Sequence, residues 1–255
     1  MKPLFFHSIL FAAALLPAHA QLSSNGATAS FKGSLPPKPT AALSTEQEAV
    51  IEDDLKAVTQ SFAAVKKHAR AADAEIFIKA VRYALEGRPV FPCHTPTPAG
   101  CSCGRPDCGS PGKHPRTRNG LHDASTDVGR IESWWSRWRD ANVGVATGRV
   151  SGLIVIDIDP RHGGLASMRA LLDEHGPLPD GPRVRTGSGG WHLLFSSPAA
   201  TVKNSVNRVG PGIDVRSDGG YVIAPPSLHP VGQRYEWTKH GETPRLPDWL
   251  EKLVT

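Results

Sequence analysis

The sequence predicts an α+β domain preceded by an extension with no core of its own. Three observations carry this. Helical apolar periodicity is confined to a few short stretches, β-like apolar segments separated by glycine-rich turns fill the second half, and all four cysteines fall between residues 93 and 108. The chain's 255 residues, 39% hydrophobic and 21% charged, suffice for one sizeable core or two small ones, which excludes disorder throughout. Its 25 Gly and 23 Pro follow no collagen-like period, and a mean hydropathy of −0.27 excludes a polytopic membrane protein. Net charge is +5, compatible with a polyanionic partner without requiring one, and most of the excess lies in residues 75–255.

Taken in chain order, residues 1–20 (MKPLFFHSILFAAALLPAHA) carry one Lys, an apolar run from Ile9 to Leu16 and a closing Ala-His-Ala. That is the pattern of a secretory signal peptide, and the run is too short for a permanent membrane span. Residues 21–43 are rich in Ser, Ala, Gly and Pro and read as a linker. Ser44 stands in capping-box spacing with Gln47 and opens a solvated helix to about Lys67. A second helix, from about Ala72 to Leu85, ends at Gly87 and leads into Pro89-Val90-Phe91-Pro92, a short strand and turn. Beyond it the pattern predicts strands at Val143–Ala146, Leu153–Ile158, His192–Phe195 and Gly220–Ala224, with helices at Asp127–Arg139 and Gly164–Glu174. The organisation expected is a leader (1–20), a linker and helical segment (21–74) and a folded domain (75–255).

Four constellations carry chemistry. In the first, Cys101-Ser-Cys103-Gly-Arg-Pro-Asp-Cys108-Gly-Ser-Pro-Gly-Lys113-His114, three thiolates and one imidazole share a loop of turns and can close tetrahedrally around one Zn²⁺. Four protein ligands leave no open position, so that site is structural. The rival is a pair of disulfides recruiting Cys93; His94 is a substitute ligand that the block does not need. In the second, Leu153-Ile-Val-Ile-Asp157-Ile-Asp159 is a buried strand whose closing carboxylates project to one face and repel unless a cation such as Mg²⁺ or Mn²⁺ lies between them. The competing reading is a strand end with two solvated carboxylates.

In the third, Arg185-Thr186-Gly187-Ser188-Gly189-Gly190-Trp191-His192, a glycine-rich turn before a strand lets backbone N–H groups approach an anion. It matches neither the Walker pattern nor the dinucleotide fingerprint, and it could equally be a plain hairpin turn. In the fourth, Ile213-Asp214-Val215-Arg216-Ser217-Asp218-Gly219-Gly220-Tyr221-Val-Ile-Ala-Pro225-Pro226-Ser227, Asp214 is a candidate third metal carboxylate with Arg216 on the same strand face. Asp218 is a turn residue, and the two prolines end the segment and fix the loop containing Ser227 and His229.

In this order, with Trp134-Trp135 and Asn142-Val-Gly-Val-Ala-Thr-Gly148 between the first two blocks, the motifs resemble the bifunctional primase-polymerase domain of the archaeo-eukaryotic primase superfamily over roughly residues 78–252. The resemblance implies an RRM-like catalytic half beside an N-terminal α/β half, with a zinc-bearing loop. It implies template-directed DNA priming and polymerisation in the replication of chromosomal, plasmid or phage DNA, using Mg²⁺ or Mn²⁺ and NTP or dNTP. By motif, Asp157, Asp159 and Asp214 would hold the catalytic ions; Ser188, Gly189, Gly190 and His192 would bind the nucleotide, with Lys113 and Arg216 as further phosphate contacts. His192 is also counted among the catalytic residues. Cys101, Cys103, Cys108 and His114 would hold Zn²⁺. The family's second motif is a small residue followed closely by His, and the interval here is Gly-Gly-Trp. A DNA template and primer are the expected partners, a separately encoded helicase is a further one because the chain has no Walker motif, and no membrane is expected.

Two other classes of reading stand beside this: a catalytically inactive nucleic-acid-binding replication accessory domain, and an exported disulfide-bonded protein. The leader conflicts with the catalytic pattern, because a polymerase finds its template and nucleotides in the cytoplasm. Residues 44–85 resemble the opening of an exported hydrolase-like protein more than that of a primase, so a chimeric or mis-started extension is expected, with the first 74 residues or so dispensable.

Overall fold

The computed structural model of the chain describes residues 44–65 and 71–255. The expected leader (1–20) and linker (21–43) lie outside the described residues. The chain is mixed α+β. Its elements run α1 (Thr45–Val65), α2 (Ala71–Leu85), β1 (Val90–Cys93), a small hairpin of β2 (Pro96–Thr97) and β3 (Gly100–Cys101), α3 (Val128–Arg137), β4 (Asn142–Ala146), β5 (Leu153–Ile158), α4 (Gly164–His175), β6 (Arg183–Arg185), β7 (Trp191–Ser196), β8 (Ser205–Gly210), β9 (Ile213–Arg216), β10 (Tyr221–Ala224), β11 (Glu236–Lys239) and α5 (Asp248–Val254). No described helix is long and apolar enough to cross a membrane.

Two antiparallel sheets organise these elements. The smaller has the order β1-β4-β10 and the larger β11-β6-β7-β5-β9-β8. β5 is central and buried on both faces, which is why it reads as an uninterrupted apolar run. Leu153 and Val155 face a core shared with the smaller sheet and with Ile76, Ala80 and Tyr83 of α2 and Ile131 and Trp135 of α3. Ile154, Ile156 and Ile158 face the opposite core, with Met168 of α4 and Leu250 and Val254 of α5. The large sheet therefore has helices on one face and the rest of the domain on the other. The boundary expected after residue 74 falls inside α2, whose buried face belongs to the first core.

The strands missed from sequence are those with least to bury. β8 is an outer strand with no fully buried side chain, β11 is the opposite outer strand, and β6 buries only Val184. The helix expected over Asp127–Arg139 is capped by the Asp127 carboxylate, which accepts from Arg130 N–H at 2.6 Å, and it stops at Arg137.

Asn142 opens β4 with no exposed surface. Its Nδ2 donates to the carbonyls of Gly112 (2.9 Å) and Leu228 (2.8 Å), and its Oδ1 accepts from Leu228 N–H (2.9 Å). It thus pins the cysteine-rich loop and the segment after β10 to one strand end. Asn142→Ala leaves one buried and two part-buried backbone groups without this partner, and we expect a loss of about 3 kcal/mol in urea unfolding.

Candidate active site and candidate metal centre

The register of the large sheet places Asp157 of β5 directly opposite His192 of β7 on one side and Asp214 of β9 on the other. Directly opposed residues of antiparallel strands share a face, so the three side chains form one rung across three neighbouring strands. The rung lies on the face that Val155 and Leu194 carry into the first core. Here that face meets solvent: the Asp157 and Asp214 side chains are 27% and 21% exposed, whereas His192 is buried.

Arg216, two residues beyond Asp214 and on its face, donates from Nη2 to Asp214 Oδ2 at 2.6 Å, and its Nε lies 3.9 Å from Asp157 Oδ2. The guanidinium thus spans the two carboxylates. His192 Nε2 is 3.7 Å from Asp157 Oδ1, too far for a hydrogen bond. Burial lowers the His192 pKa, with Lys113 and Arg216 adding to the effect and Asp157 opposing it, so the imidazole is neutral near pH 7.

Asp159 is placed differently. It lies just past the end of β5; its N–H donates to Gly212 O (2.8 Å) and its carbonyl accepts from Gly164 N–H (3.0 Å). Its carboxylate caps the short turn Pro160–His162, accepting from Arg161 N (2.9 Å), Nε (3.1 Å) and Nη2 (2.8 Å), and lies 3.0 Å from His162 Nδ1. The Arg161 guanidinium above all holds its carboxyl well below the usual carboxylate range. Asp157, Asp159 and Asp214 consequently do not bring three ligand atoms within 4.8 Å of one another. Among the described residues, only the cysteine cluster does so.

Gly164 and Gly212 fix this corner by backbone contact: a Cβ on Gly212 would strike Gly164 N and come within 2.8 Å of Asp159 O, and Gly212 has φ +71°. Gly212→Ala, one residue before β9, should cost about 3 kcal/mol from the left-handed backbone and the overpacking together, read as a lowered Tm.

The glycine-rich turn joins β6 to β7 as a hairpin, with Arg185 opposite Trp191. Thr186 N–H donates to Gly190 O, Gly189 N–H to Thr186 O and Gly190 N–H to Thr186 Oγ1. Gly189 and Gly190 therefore shape the turn, their N–H groups being committed within it. Those of Gly187 and Ser188 take no part in these bonds. Ser188 Oγ lies 3.1 Å from Thr186 Oγ1. Lys113 approaches from the cysteine loop: burial depresses its pKa and Asp157 partly restores it. Tyr221 OH donates to the Lys113 carbonyl at 2.9 Å, and Ser227 Oγ accepts from Val143 N–H at 2.9 Å.

Cys101, Cys103, Cys108 and His114 bring three sulfurs and one nitrogen within 4.8 Å of one another, and all four cysteines of the chain are free thiols. His114 Nε2 is 3.4 Å from both Cys101 Sγ and Cys108 Sγ. A tetrahedral ion with Zn–S of about 2.3 Å and Zn–N of about 2.0 Å has an S···N edge of about 3.5 Å, so the donor set fits. The backbone N–H of Arg105, foremost, brings the Cys103 thiol down to about 6, which favours the ligating thiolate. Cys93 lies apart, buried in β1. His94 stacks on the His114 ring at 4.4 Å and donates no fourth corner.

Sequence reasoning missed Arg161 and Tyr235, and it named Asn142 only as the head of a motif, with no role. Asn142 alone left a signal, a polar residue heading an apolar strand. No curated protein matches the chain. A family model for the bifunctional DNA primase/polymerase N-terminal domain matches residues 80–249, from α2 to the start of α5. Membership implies a metal-dependent, nucleotidyltransferase-type enzyme with DNA and nucleotide substrates. The match spans two thirds of the chain and includes the rung, the hairpin turn and the cysteine cluster, and the chain belongs to the bifunctional DNA primase/polymerase family.

Proposed function

We propose that this chain is a template-directed DNA primase/polymerase acting in replication, with nucleotidyl transfer at the His192–Asp157–Asp214 rung. The observation that carries this is the pair of opposed carboxylates already sharing one cation, the Arg216 guanidinium. Two like charges directly opposite repel, so a site that holds a cation between them suits Mg²⁺ or Mn²⁺. We read the large sheet with α4 and α5 as the RRM-like half, and Zn²⁺ as the ion of the Cys3His cluster.

When bound, divalent ions would favour ionisation of the attacking 3′-hydroxyl and neutralise charge on the triphosphate. Asp157 and Asp214 would hold them, and Asp159 would be a further ligand only with its carboxylate freed from Arg161. Arg216, if displaced from the carboxylates, would be free to contact phosphate. The neutral His192 offers a ring N–H to the triphosphate, beside Ser188 Oγ, the free N–H groups of Gly187 and Ser188, and the Lys113 ammonium. Template and nucleotides are cytoplasmic, and we assign the protein's work there.

Incorporation of a fluorescent dNTP onto an annealed primer in Mn²⁺ tests this reading, with product expected and a chelator abolishing it. The Arg161 clamp on Asp159 is the one observation that favours an inactive DNA-binding module instead. DNA binding with no product in any divalent ion would decide for that module.

A further inference from the structure

The loop between β10 and β11 carries a histidine to which the scheme above gives no role. His229 is 2% exposed. Its backbone N–H donates to Gln233 O at 2.8 Å, and Val231 N–H donates to its Nδ1 at 3.3 Å. Nδ1 is therefore the accepting nitrogen, and this hydrogen-bond pattern assigns the proton to Nε2. Nε2 is buried and has no hydrogen-bond partner. A buried donor left unpaired costs about 1–3 kcal/mol, a cost that an acceptor arriving from outside would relieve.

The surroundings say which acceptor. Gly187 of the glycine turn lies against this histidine so closely that a Cβ there would strike His229 Cβ and come within 2.8 Å of Cγ; Ser188 is the next residue. The Tyr235 ring lies 5.6 Å from His229 and 5.7 Å from His192, so both imidazoles contact one buried phenol. Burial first, then Lys113 and Arg161, oppose a positive charge on His229, with Asp159 favouring it; the ring is neutral and its charged neighbours are those of the active site. An N–H donor in the field of Lys113 and Arg161 suits an anion and disfavours a metal ion.

We propose that His229 Nε2–H is a second histidine donor to the phosphates of the incoming nucleoside triphosphate, on a ring that shares the Tyr235 contact with His192. The inference rests on the nucleotidyltransferase reading. Nε2 is enclosed in this structure, so the contact forms as the site opens locally to admit the nucleotide.

Calorimetric titration of the full chain with dGTP and with dGMP, in Mg²⁺ and without primer, tests it. His229→Phe keeps the ring and removes the donor; His229→Gln keeps an N–H where Nε2 stands; His229→Asn reaches only the Nδ1 position. We expect H229F and H229N to weaken dGTP binding on the order of tenfold while dGMP binding holds, and H229Q to stay within about threefold of the parent. Parental dGTP affinity in H229F overturns the inference and leaves the polymerase reading standing. Equal losses in H229Q and H229N, with equal falls in Tm, assign His229 a structural role and also overturn it; if H229F does not fold, this pair decides. A parent that binds no dGTP removes the polymerase reading and this inference together.

Discussion

Replacing Asp157 and Asp159 together by Ala is expected to reduce primer extension by a factor on the order of 10³ or more while the protein stays folded. Ionic stabilisation of a phosphoryl transition state is worth several kcal/mol, and each 1.36 kcal/mol is a tenfold change in rate. The fold should survive because both side chains reach solvent, at 27% and 26% exposure, and because losing Asp157 relieves its repulsion with Asp214. Asp159 also caps the Pro160–His162 turn, so the double variant should lose about 1 kcal/mol, a fall of a few degrees in Tm. Extension at the parental rate by the double variant would refute the assignment of the site.

Chelation of the ion proposed for the Cys3His cluster has the second largest expected effect, and it falls on stability. The loop has little apolar surface of its own, but Gly112 and Lys113 within it are held by Asn142 and Tyr221, so its collapse spreads to β4 and β10. Structural Zn²⁺ binding contributes folding free energy directly. For a domain of this size about 3–4 kcal/mol corresponds to roughly 10 °C in Tm. We expect removal of one Zn²⁺ per chain, followed by metal analysis, to lower Tm by about that much, with Cys108→Ser doing the same without chelator. Unchanged Tm after complete removal would make the loop a passive appendage. Because Lys113 is delivered to the site by this loop, nucleotide affinity should fall in parallel.

How legible these features were depends on how local their causes are. β5 was readable to its ends because burial on both faces demands an unbroken apolar run, and α4 because its periodicity lies between glycines. The cysteine cluster was readable because all four ligands sit within fourteen residues of turns. β8 and β11 were not, because outer strands need only pair on one side and leave no apolar signature. Alternation predicted that Asp157 and Asp159 share a face; the backbone is still extended at Asp159, but Arg161, two residues on, takes the Asp159 carboxylate for a turn cap, an engagement that alternation does not reveal. The alignment of Asp157 between His192 and Asp214 is a matter of register between strands far apart in sequence, which no local pattern encodes. The same holds for Tyr235 and His229, brought beside His192 only by the return of the chain after β10.

Asp157 and Asp214 are proposed to hold the ions of nucleotidyl transfer in place of Arg216. Anomalous diffraction from crystals grown with Mn²⁺ and a non-hydrolysable dNTP locates the ions directly. A Mn²⁺ peak beside the Asp157 and Asp214 carboxylates is expected, with Arg216 displaced from between them. Arg216 still seated between the two carboxylates, with Mn²⁺ bound elsewhere, would contradict it.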